Sequence, residues 1–96
     1  MKPLSLTQEL EQVARRVVWF EDPRNALCNT AHFVAHTMTY GTHQDMKVLR
    51  RYLSDDELRE ALTHAPPGVF DPRSWAYWNL KLGRYPTPAM PKRRLD

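Results

Sequence analysis

The chain has 96 residues, 42% of them hydrophobic, with 14 Lys and Arg against 11 Asp and Glu and a single cysteine. That is one domain's worth of sequence, above the size at which disulfides or metals become necessary for folding, and Cys28 has no partner for an internal disulfide. The longest apolar run, Val17 to Phe20, is far short of the roughly 20 residues of a membrane span, and the N-terminus MKPLSLTQELEQ lacks the apolar stretch of a secretory signal, so a reducing cytoplasm is the expected compartment.

The net charge of +3 is unevenly spread. Residues 1 to 91 carry eleven Lys and Arg and ten Asp and Glu, a net of +1, while Lys92, Arg93, Arg94 and Asp96 supply the other +2. The folded part is therefore expected to be nearly neutral, with a basic tail as a modest lure for phosphates.

Apolar spacing and cap chemistry predict an all-α fold, a compact bundle of about five short helices followed by an extended, proline-rich, basic C-terminal arm. In the first helix Leu6, Leu10, Val13, Ala14, Val17 and Val18 share one face, Ser5 and Gln8 stand as a capping box, and the end falls near Phe20. Asp22 and Pro23 break that pattern, and a link of several residues follows. A second helix starts after Asn29 and runs to Tyr40, with Phe33, Val34, Thr37 and Met38 inward and Gly41 where a left-handed C-cap is wanted.

Thr42 caps the third helix, which places Met46, Leu49 and Leu53 inward beside a basic flank of Lys47, Arg50 and Arg51. The fourth opens on a capping box of Ser54 and Glu57, with Leu53 stapled to Leu58. After Ala65 the run Pro66, Pro67, Gly68 ends it. Asp71 then caps the fifth helix, with Pro72 at its first position, Phe70 stapled onto Trp75, and Gly83 as its stop. From Arg84 onward Pro86, Pro88 and Pro91 favour an extended arm. Residues 1–83 thus read as one helical domain and 84–96 as a tail, with residues 1–20 readable either as core or as an appended interaction helix.

Candidate chemistry is sparse. Cys28, His32 and His36 recur at intervals of four, a spacing that could align three metal ligands. Cys28, however, precedes the helix cap, and HFVAH has Phe33 where a zinc-protease motif needs glutamate, so a structural role and no metal is the reading taken. The carboxylates of Asp55, Asp56 and Glu57 are explained by the helix dipole and the capping box rather than by acid–base chemistry. No nucleotide-binding or nucleophile motif is present. The chain therefore reads as a binding protein, not an enzyme, with no cofactor and no small-molecule substrate.

DNA is the rival partner. A helix-turn-helix built on helices three and four would present Asp55, Asp56 and Glu57 to phosphates, which repel them. One built on helices four and five would present Pro72, Arg73 and Ser74, but over a connector, Ala65 to Phe70, longer than that motif's turn. In the fifth helix Trp75, Trp78 and Leu82 form a core stripe, while Tyr77, Lys81, Arg84 and Tyr85 are candidates for a partner surface.

The segments WFEDP (19–23), Phe33 followed by MTYGT (38–42), LRRYLSDDELREAL (49–62) and RSWAYWNLKLGR (73–84) resemble a family of small bacterial helical proteins encoded beside nucleotidyltransferase-like toxins of the abortive-infection class. The resemblance covers residues 19 to 85, about two-thirds of the chain. It implies an antitoxin that holds such a toxin inactive by direct contact. The resemblance does not say which residues touch the toxin. The proline-punctuated, basic composition of residues Arg84 to Asp96 makes that arm the candidate to lie extended across the toxin's active-site cleft, with Lys92, Arg93 and Arg94 paired to its magnesium-binding acidic residues. The alternative is a small helical DNA-binding regulator of its own operon.

Overall fold

The computed structural model describes residues 1–91 and forms six helices: α1 Gln8–Val17, α2 Pro23–Cys28, α3 Thr30–Tyr40, α4 His43–Tyr52, α5 Asp55–Thr63 and α6 Pro72–Lys81. The organising element is α3, which packs against all five others. Its sequence TAHFVAHTMTY is apolar or hydroxylated on nearly every side. Such a helix is stable only when surrounded, and Thr30, Phe33, Val34, Ala35, His36, Thr37 and Met38 are all buried. Thr37 Oγ1 returns its hydrogen to Phe33 O at 2.8 Å, so the buried hydroxyl is satisfied within the helix.

The first helix begins and ends inside its expected bounds. Thr7 rather than Ser5 is the N-cap, accepting from the amide of Leu10 at 3.2 Å. Starting there leaves Leu6 exposed but completes the buried face of Leu10, Val13, Ala14 and Val17. The residues before Thr7 are held elsewhere: the Leu4 amide donates to Leu27 O at 3.0 Å, and Thr30 Oγ1 donates to Lys2 O at 2.6 Å. At the other end Val18 leaves the helix and is fully buried, which turns Trp19 and Phe20 outward. With its apolar face packed on α2, α3 and α4, α1 is one wall of the core.

The link after Phe20 is itself a helix. Asp22 accepts from the Arg24 amide at 2.8 Å and Pro23 occupies the first position of α2. This is the same Asp-Pro start that opens α6, where Asp71 accepts from the Ser74 amide at 2.6 Å. A six-residue helix has little stability of its own, and α2 persists because Ala26 and Leu27 are buried.

Gly41 is not left-handed, since its φ is −76° and its ψ 163°. Glycine is required there for close approach instead. A Cβ would lie 2.6 Å from Thr37 O and 3.1 Å from Thr37 Cγ2. Gly41→Ala is therefore expected to cost about 1–3 kcal/mol by overpacking. Gly83, with φ at 78° and open space around it, terminates α6 as expected, and Gly83→Ala should cost about 1 kcal/mol through backbone strain alone. Urea denaturation of the two variants separates the mechanisms.

Both α4 and α5 open on complete capping boxes, Thr42 with Asp45 and Ser54 with Glu57. Asp45 also receives Arg16 of α1, so one buried carboxylate caps α4 and ties it to α1. Burial pushes the Asp45 carboxyl up. Hydrogen bonds from Arg16 and Thr42, with the Arg16 charge, outweigh that and hold it below the usual carboxylate range. Leu53 and Leu58 are both buried, and Phe70 meets Trp75 edge-on at 5.2 Å.

Beyond Gly83 the described residues of the proline-rich segment lie on their own domain. The Arg84 amide donates to Asn79 O at 2.7 Å, Trp75 Nε1 donates to Pro88 O at 2.7 Å, and Met90 packs on the core. Among the described residues no helix is long and apolar enough to cross a membrane.

Candidate functional site

Two surface features stand out, and they are separate in the lining residues they use. The first is a groove of about 430 Å³ between α4 and α6, closed at one end by Met38 and Gly41 at the end of α3. Residues 43, 46, 47 and 50 of α4 and 73, 74, 77, 78 and 81 of α6 line it, each set being one face of its helix. The floor is apolar, from Met38, Met46 and Trp78, while Lys47, Arg50, Arg73 and Lys81 supply charge. Arg50 is partly neutralised by Asp55 at 2.7 Å. At the mouth of α6, hydrogen bonds from Ser74 chiefly, and the Arg73 charge to a smaller extent, hold the Asp71 carboxyl below its ordinary range.

The groove unites residues that are far apart in sequence. Of the expected partner surface, Tyr77 and Lys81 lie in its wall. Arg84 and Tyr85 sit past the end of α6 and do not line it. Tyr85 is 79% exposed, but Arg84 is half-buried and its Nη1 lacks a protein partner. Lys92, Arg93 and Arg94 lie outside the described residues.

The second feature is an aromatic ridge. Trp19, Phe20 and Tyr40 are 78%, 56% and 64% exposed. Trp19 meets Phe20 edge-on at 5.5 Å, Phe20 lies 5.7 Å from the His36 ring, and His36 lies 5.8 Å from Tyr40. With Arg16 and Val17 these rings border a depression of about 370 Å³. The His32 ring lies 4.2 Å from that of His36, tilted by 47°. Burial first, and then the neighbouring His36, push the His32 ring below its usual range against a small opposing pull from Glu21. Its neutral form is thereby favoured at pH 7.

The sequence reading missed this ridge by treating Trp19 and Phe20 as the end of an apolar helical run. Trp19 falls opposite the buried register that Leu10, Val13, Ala14 and Val17 set, but Phe20, three residues beyond Val17, falls on it, so spacing alone did not turn both rings outward.

Cys28 ends α2, one helix before His32 and His36, and is exposed. Among the described residues no three His, Cys, Asp or Glu side chains converge as a metal site. Asp55 and Asp56 pair with Arg50 and Arg59, and Glu57 accepts from the Ser54 amide. The two helices weighed as a helix-turn-helix, α5 and α6, each pack chiefly on α3. Compared with protein-family models, with curated proteins and with solved structures, the chain matches none.

Proposed function

We propose that this chain is an antitoxin that neutralises a nucleotidyltransferase-like toxin by direct protein contact, as its sequence resemblance implies. The observation that carries the contact is the aromatic ridge. Trp19, Phe20 and Tyr40 lie mostly in solvent and are linked ring to ring, Tyr40 through His36, around one depression. Exposed apolar clusters of this kind mark interaction surfaces, and tryptophan, tyrosine and phenylalanine are the residues enriched at them. Tyr85 and the basic Lys92, Arg93 and Arg94 form the second proposed contact, directed at the acidic residues of the toxin's metal site.

The test is co-expression with a nucleotidyltransferase-like toxin encoded beside this chain, a neighbour that the reading itself requires. The unaltered chain should relieve toxicity and co-elute with the toxin. Trp19→Ala combined with Tyr40→Ala should lose both while keeping its helical circular dichroism. Retained neutralisation by that double variant would sink the ridge as the contact. A truncation after Gly83 is unsuitable for the second contact, because it removes the Pro88 carbonyl from Trp75 and Met90 from the core. Replacement of Lys92, Arg93 and Arg94 by alanine tests it without that loss. A salt-sensitive shift of promoter DNA with no toxin complex would favour the regulator reading instead.

A further inference from the structure

The groove between α4 and α6 gathers four cationic side chains, and no carboxylate lines it. Over residues 1–91 basic and acidic residues stand at eleven against ten, so the one-sided lining is a local arrangement and not a consequence of a basic chain. Like charges around one concavity raise one another's energy, and an anion among them lowers it. Among the described residues Lys47, Arg73 and Lys81 make no ion pair.

An inorganic anion would leave the rest of the groove unused. Its wall carries the Tyr77 ring, 55% exposed, held edge-on by Trp78 at 5.1 Å with Lys81 Nζ 5.9 Å from its centroid. A tyrosine more than half exposed at the wall of a cationic groove is a stacking platform for a planar ring. The volume of about 430 Å³ falls within the roughly 300–1,000 Å³ of sites for small organic ligands.

We propose that this groove binds a nucleoside phosphate, with the phosphate among Lys47, Arg73 and Lys81 and the base stacked on Tyr77. A free mononucleotide and the phosphorylated end of a single strand offer the same chemistry. The inference does not rest on the antitoxin reading, whose contact is the aromatic ridge.

Calorimetric titration of the full chain at low ionic strength tests it, with 5′-AMP, a short 5′-phosphorylated oligonucleotide, adenosine, inorganic phosphate and a glutamate peptide as probes. A nucleotide probe should bind saturably and at least about tenfold more tightly than adenosine or phosphate, with the tighter of 5′-AMP and the oligonucleotide identifying the source. Tyr77→Ala should weaken binding about tenfold, the scale of one lost base–aromatic stack, and Arg73→Gln should weaken it by a similar factor. Both side chains are exposed, so the variants should keep their helical circular dichroism. Chemical-shift changes on the unaltered chain should centre on Lys47, Tyr77 and Lys81, which locates the site without any variant. The proposal is overturned by absent nucleotide binding, by phosphate binding as tightly as 5′-AMP, by a tighter glutamate-peptide complex, or by shifts centred elsewhere.

Discussion

Trp78→Ala should lower the stability of the domain by about 3–5 kcal/mol, the range for truncating a buried aromatic. Trp78 is nearly buried and sits where α6 meets the C-terminal end of α3. Its Nε1 donates to Met38 O at 3.0 Å. That carbonyl belongs to the last turn of α3, where intrahelical partners run out, and the amide that would otherwise reach it, that of Thr42, is taken by Asp45. Alanine therefore opens a cavity and also strands a carbonyl. Trp78→Phe separates the two effects, since it keeps most of the ring and should cost about 1–2 kcal/mol for the lost hydrogen bond and residual misfit. Trp19→Ala, at a side chain 78% exposed, should change stability by no more than about 0.5 kcal/mol. Urea denaturation of the three variants checks the ordering, and a Trp19→Ala cost approaching that of Trp78→Ala would contradict the division between core and ridge.

Asp45→Ala should cost about 2–3 kcal/mol at neutral pH, because one substitution removes the Thr42 cap partner and the Arg16 pair from a carboxylate only 2% exposed. Arg16 is half in solvent and is not stranded by the change. The folded-state pKa of Asp45 is depressed, so its contribution is complete above the ~3.9 of an unfolded aspartate and is lost as pH falls through the lower folded value. The denaturation midpoints of the unaltered chain and of Asp45→Asn should accordingly lie apart at pH 7 and draw together below about pH 4. Midpoints that stay equally far apart in acid would show that the charge of Asp45 is not what stabilises the fold.

The importance of Asp45 was within reach of the sequence, because Thr42-x-x-Asp45 has capping-box spacing with aspartate at the third position. Its second partner was not, because Arg16 is 29 residues away on another helix. The candidate groove shows the same division. Lys47 and Arg50 were legible as a basic flank, and Tyr77 and Lys81 as the outer face of the last helix. That the two faces confront one another across one concavity depends on how α4 and α6 pack around α3.

What the sequence by itself determined is the all-helical character and most of the helix boundaries. Caps, Asp-Pro starts, glycine stops and apolar spacing act over three or four residues, and that range is fully written in the local sequence. Three things were decided only by tertiary structure. The six-residue α2 forms because its two apolar side chains find the core, Gly41 is needed for a close approach to Thr37 rather than for a left-handed turn, and Trp19 and Phe20 face solvent because burying Val18 turns the chain outward. Each depends on contacts between segments whose relative placement no local periodicity encodes.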